Sequence, residues 1–134
     1  MGKKMIGVDL DGTLAYWDMP LGIYDPMRIG NPIYAMVDRV NEWLEQGHEV
    51  VIFTARVYPD KNTNVEVIRN VIKEWCLLVF GCELEVTCMK NPRMIEIWDD
   101  RAVAIEHNTG RVISPIREDL HFVDNQPDAL GSLL

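Results

Sequence analysis

Three short, largely apolar blocks in this chain each stop abruptly on polar groups, and that pattern limits the fold more than any other feature. Ile6-Gly7-Val8 runs into Asp9, Val51-Ile52-Phe53 into Thr54, and Ile95-Glu96-Ile97-Trp98 into Asp99-Asp100. Runs of this length bounded by breakers suit strands covered on both faces, as in parallel sheets. The segments between them change period. Met36, Val37, Val40, Trp43 and Leu44 fall at helical spacing, so a helix is expected from near Pro32 to about Gln46, with Gly47 as its stop. A second helix is expected to carry Val67, Ile68, Val71, Ile72 and Trp75 on one face, with Asn62, Thr63 or Asn64 as its cap and Gly81 at its end. Strands are predicted at 5–8, 49–53, 84–86 and 94–98, with irregular loops at 15–32 and 54–62. Residues 103–105 and 111–113 flank a turn-forming stretch and read as a β-hairpin. Strands alternating with helices imply βαβ units. The expected fold is therefore a three-layer α/β/α sandwich around a mostly parallel, Rossmann-like sheet, with the hairpin at one edge.

A length of 134 residues fits one domain, expected at 1–116 and followed by a tail at 117–134. No apolar run approaches the ~20 residues of a membrane span. The chain starts Met-Gly-Lys-Lys, but Asp9 and Asp11 precede any apolar core of a signal peptide, and Ile6 stands where a myristoylation motif needs Ser or Thr. The net charge of -8 disfavours broad binding to nucleic acid or to an anionic membrane. Cys76, Cys82 and Cys88 form no C-x-x-C pair, which argues against a disulfide framework or a zinc site. Reduced, mostly buried thiols and a cytoplasmic location are expected. The downstream ligands of an EF-hand loop are missing, and so is the glycine-lysine signature of a phosphate-binding P-loop.

In a parallel sheet the carboxyl ends of the strands share one edge, and ligands bind there. Separate stretches should thus deliver Asp9, Asp11, Thr54, Asp99 and Asp100 to one crevice. Carboxylates packed so closely repel and raise one another's pKa values, which a hard divalent cation relieves. Mg²⁺ prefers such oxygen donors together with a substrate phosphate, and its charge lets a carboxylate approach phosphorus. A carboxylate that attacks there forms an acyl phosphate and divides one hard displacement into two easier ones. Asp9 and Asp11, two apart in extended backbone, can face the same way, one to attack and the other to move the proton. Gly12 permits the sharp turn off the strand. Thr13 and Thr54 offer hydroxyls to phosphate oxygens, and the Lys90 ammonium can hold those oxygens or the aspartyl anion. Arg56 or Arg101 can assist through guanidinium geometry.

Asp9-Leu10-Asp11-Gly12-Thr13-Leu14 matches the D-x-D-G-T-L signature of the haloacid dehalogenase-like phosphohydrolase superfamily. Thr54, Lys90 and Asp99-Asp100 resemble its later motifs in the right order. Val51-Ile52-Phe53-Thr54-Ala55-Arg56 also looks like small phage or bacterial members. The resemblance implies Asp9 as nucleophile and Asp11 as acid/base. It implies Mg²⁺ held by Asp9, the Asp11 main-chain carbonyl and Asp99-Asp100, with Thr54 and Lys90 on the phosphate. Lys90 lies only a short turn ahead of Asp99-Asp100, without the usual intervening helix, and the chain has no room for a full cap domain. An open site suits a phosphorylated small molecule or the exposed phosphate of a macromolecule, with a lid borrowed from a second subunit as one possibility. Tyr16, Trp17 and Tyr24 either stack on a substrate ring or cover the core. Two further readings stay open. One is a phosphatase of nucleic-acid ends, if Arg56, Lys61, Lys90, Arg93 and Arg101 gather into a patch. The other is a retired module that binds a phosphorylated ligand or a partner.

Overall fold

The computed structural model describes residues 2–114. These fall into two units, residues 2–18 with 25–100 and residues 19–24 with 101–114. The expected tail at 117–134 lies outside the described residues.

The larger unit is built on four parallel strands: β1 (Met5–Val8), β2 (Glu49–Phe53), β3 (Glu85–Thr87) and β4 (Met94–Trp98), hydrogen-bonded in the order β3-β2-β1-β4. β1 is central and wholly buried, which explains its unbroken apolar run. Helix α1 (Tyr34–Glu45) joins β1 to β2, and α2 (Val65–Phe80) joins β2 to β3. α1 buries Met36, Val37 and Val40 as its spacing predicts. Asn64 is the cap of α2: its side-chain oxygen accepts the Val67 N–H at 3.4 Å, and Gly81 ends the helix in left-handed backbone. The buried row of α2 is Ile68, Ile72 and Cys76, with Trp75 beside it, whereas Val67 is exposed. The apolar stripe is thus turned slightly from the predicted face. β3 sits one residue later than predicted.

The α/β class and the parallel, Rossmann-like sheet agree with expectation, and both described helices lie on one face of the sheet. Alternate residues of a strand point to opposite faces. Ile6, Val8, Val50, Ile52 and Val86 form one cluster with Met36, Val40, Ile68, Ile72 and Cys76, so both helices lie against the same face. The opposite face gathers Met5, Val51 and Met94 with Phe53 and Ile97, and no described helix joins that cluster. The reason lies in the crossovers. Two successive steps in one direction, both right-handed, place both helices on one side. The return from β3 past β2 and β1 to β4 is the short segment 88–93, which holds no helix and runs by Met5, to whose sulfur Asn91 Nδ2 donates at 3.5 Å.

In the smaller unit the expected hairpin is a narrow antiparallel ladder. Glu106 N–H donates to the Arg111 carbonyl at 2.7 Å and Ile113 N–H to Ala104 at 2.9 Å, around the single bridge Ile105–Val112. It is not a strand pair of the sheet. Cys76 is buried, Cys88 half-buried and Cys82 exposed, so one thiol rather than most of them is interior. Burial pushes the Cys76 thiol up to about 12, which keeps it protonated. Among the described residues no helix is long and apolar enough to cross a membrane.

Candidate functional site

The carboxyl edge of the sheet is built by the first residues beyond β1, β2 and β4. Asp9 continues β1, and its N–H donates to the Trp98 carbonyl at 2.9 Å, which holds the two strand ends side by side. The chain then turns tightly. Leu14 and Ala15 N–H groups both donate to the Leu10 carbonyl at 2.9 Å, and Gly12 N–H donates to Ala15 at 2.8 Å. Gly12 sits at φ +83, and a Cβ there would lie 2.6 Å from Asp100 Oδ2. Glycine is needed twice over, for its left-handed backbone and for the close approach of a carboxylate.

Asp9, Asp99 and Asp100 each offer a carboxylate oxygen, all within 4.8 Å of one another, and this triad can hold a metal ion. Burial pushes Asp9 up to about 8, reinforced by the charges of Asp99, Asp100 and Asp11 and by its hydrogen bond with Asp100. Thr13 ties the β1 turn to the end of β4. Its hydroxyl lies 3.1 Å from Asp100 Oδ1 and 3.5 Å from Asp9 Oδ2, and it accepts the Asp100 N–H at 3.1 Å.

Beyond β2, Thr54 is buried, and its N–H donates to the Thr87 carbonyl at the end of β3. The Thr54 Oγ1 accepts the Arg56 N–H at 3.1 Å and so starts the 3-10 turn Ala55–Val57. Arg56 is buried as well. Its Nε and Nη2 donate to the two carboxylate oxygens of Asp11, each at 2.7 Å, and its Nη1 donates to the Pro26 carbonyl at 3.0 Å.

The edge therefore brings together Asp9, Asp11, Thr13, Thr54, Arg56, Asp99 and Asp100. Thr13 and Arg56 are turned to the carboxylates. Lys90, in the 88–93 segment, is exposed, and no described residue forms a hydrogen bond or ion pair with it. Arg101 belongs to the smaller unit. Tyr16, Trp17 and Tyr24 are all exposed rather than folded into the core. Arg93 pairs with Glu49 at 2.6 Å, so two members of the suggested basic patch, Arg56 and Arg93, are engaged with carboxylates. Sequence reasoning missed the Arg56–Asp11 pair, the Thr13–Asp100 link and the Pro26 carbonyl. The only sequence signal for the first was an arginine two residues beyond a strand-end threonine.

Fold and site together define an α/β protein with a parallel sheet and an acidic cluster at its carboxyl edge. No protein-family model matches the chain, and no curated protein does. Among solved structures it is similar to a conserved protein coded by a locus of Bacteroides thetaiotaomicron, at 19% sequence identity and a TM-score of 0.48 over 92% of each chain.

Proposed function

We propose that this chain is a Mg²⁺-dependent phosphomonoesterase of the haloacid dehalogenase-like kind, with Asp9 as nucleophile and Asp11 as acid/base. The observation that carries the reading is the approach of Asp9, Asp99 and Asp100 to within 4.8 Å at the strand ends, with Asp11 two residues along. Three carboxylates this close, one of them pushed up to about 8, fit a hard divalent cation, whose oxygen-donor preference they meet. Asp9, Asp99 and Asp100 would hold Mg²⁺ together with the Asp11 main-chain carbonyl. When bound, it neutralises charge on both the carboxylates and the phosphate.

The chain's own residues do the rest. A carboxylate oxygen of Asp9 attacks phosphorus, the ester P–O bond breaks, and the departing oxygen takes a proton from Asp11. Asp11 then takes a proton from water, whose oxygen attacks the aspartyl phosphate. Inorganic phosphate leaves and the Asp9 carboxylate is restored. Thr54 donates its hydroxyl to a phosphate oxygen, Thr13 fixes Asp100, and Lys90 reaches the phosphate from its loop. The expected substrate is a phosphorylated small molecule or an exposed phosphate on a macromolecule, in the cytoplasm. The engagement of Arg56 and Arg93 weighs against a nucleic-acid end.

Phosphate release from nucleotides, sugar phosphates and end-phosphorylated oligonucleotides, with Mg²⁺ or EDTA, tests the reading. Release should require Mg²⁺ and fall by at least about 10³-fold in Asp9→Asn, as loss of a nucleophile does elsewhere. Release that survives Asp9→Asn would sink the mechanism.

A further inference from the structure

The guanidinium of Arg56 is placed in a way that the phosphatase reading does not require. Its side chain is 3% exposed and that of Asp11 21%, so the guanidinium is buried beneath a partly accessible carboxylate. All three of its nitrogens donate: Nε and Nη2 to the two Asp11 oxygens, and Nη1 to the Pro26 carbonyl. A planar fork meeting both oxygens of a carboxylate fixes its plane as well as its position, which a lysine ammonium cannot do.

Arg56 is held from both ends. Its own backbone N–H is tied to Thr54 Oγ1, directly beyond β2. Pro26, whose carbonyl Arg56 grips, lies in the loop between β1 and α1. That loop is anchored again further along, where Tyr16 N–H donates to the Asn31 carbonyl at 2.9 Å and Trp75 Nε1 to Gly30 at 3.3 Å. Near Pro26 itself, Met27 N–H donates to Asp25 Oδ1 and Arg28 N–H to the Asp25 carbonyl, each at 3.0 Å. A displacement of Pro26 would therefore move the guanidinium, and with it Asp11.

We infer that Arg56 is a positioning residue rather than a phosphate ligand: it orients the Asp11 carboxylate and couples it to the loop at Pro26. The inference rests on the reading of Asp11 as acid/base, but the coupling can be measured without turnover.

The test uses Arg56→Lys, which keeps the charge and loses the fork, with Arg56→Gln and Asp11→Asn. In Arg56→Lys, kcat should fall about tenfold to a hundredfold, the scale of a misplacement of about 1 Å in a reacting group. KM and inhibition by inorganic phosphate should stay within about twofold, because a group acting only in the transition state leaves ground-state binding alone. Added to Asp11→Asn, Arg56→Lys should lower kcat no further, the non-additivity of residues that act as a unit. Unchanged kcat with tenfold weaker phosphate inhibition would overturn the inference and make Arg56 a phosphate ligand. The second readout is amide hydrogen exchange. In both Arg56→Gln and Asp11→Asn the amides of Met27 and Arg28 should exchange several-fold faster while those of β1 and β2 keep their protection. Unaltered exchange at Met27 and Arg28 in both variants would refute the coupling. If these amides respond as expected but the wild-type chain releases phosphate from no substrate, the phosphatase reading fails and the coupling stands.

Discussion

The charged form of Asp9 is disfavoured in the metal-free fold. Its carboxyl is pushed up to about 8 from an ordinary 3.8, by burial first and then by Asp99 and Asp100. The folded chain thus binds a proton more readily than the unfolded chain does. The sign follows from linkage: this group's contribution to stability is fully present below the ordinary carboxylate range and is lost as pH rises through about 8. Metal-free protein should therefore show a melting temperature that declines from about pH 4 to about pH 8, and Asp9→Asn should flatten much of that slope in a calorimetric pH series. Gly12 lies at the same turn. Gly12→Ala puts a methyl on a left-handed backbone and 2.6 Å from Asp100 Oδ2, which must displace either the turn or the carboxylate. Mg²⁺ affinity by isothermal titration should drop by about tenfold or more, within the range seen when groups that orient metal ligands are lost. Affinity equal to wild type would show that Asp100 does not bind the ion from this position.

Helix α2 bears its load unevenly, and that sets which substitutions matter. Ile72 is fully buried between the sheet and α2, so Ile72→Ala should destabilise by about 2–5 kcal/mol, the usual range for a large-to-small change in a core. Leu78 lies on the same helix but is 87% exposed, and Leu78→Ala should stay within about 0.5 kcal/mol of wild type. Asn64→Ala removes the cap bond to Val67 and should cost about 1 kcal/mol. Urea denaturation of the three variants measures all of this. A large loss in Leu78→Ala would mean that this side of α2 is covered by something other than solvent. Among the described residues the return to β4 is the segment 88–93, and Lys90 lies exposed on it.

The molecule as a whole carries a net charge of -8, and Asp9, Asp99 and Asp100 gather acidic groups at one place. A cation that binds only the folded chain stabilises it by mass action, by about 2.7 kcal/mol at a hundredfold excess over Kd. Mg²⁺ should accordingly raise the melting temperature in a saturable way. Sodium chloride at matched ionic strength should do less, since screening acts on the whole surface rather than on one site. Asp9→Asn should lose most of the Mg²⁺-specific increment. Equal stabilisation by the two salts would show that the triad holds no ion.

Much of this arrangement was visible in the linear order of residues. Apolar blocks that stop on Asp9, Thr54 and Asp99-Asp100 could form strands with polar ends, and parallel strands bring such ends to one edge whatever the loops do. Met36, Val37 and Val40 likewise declared a helical face by spacing alone. Those features depend on near neighbours in the chain. The grip of Arg56 on Asp11 spans 45 residues and exists only because β1 and β2 are paired with Val8 against Ile52, which sets the turns beyond them side by side. Nothing in the residue types favoured Asp11 over a phosphate as the partner of that guanidinium. That α1 and α2 share one face was equally out of reach, since it depends on the path the chain takes between strands. Local pattern wrote the strands, the helices and the acidic edge; partners distant along the chain were settled by register and crossover path, which are properties of the packed sheet.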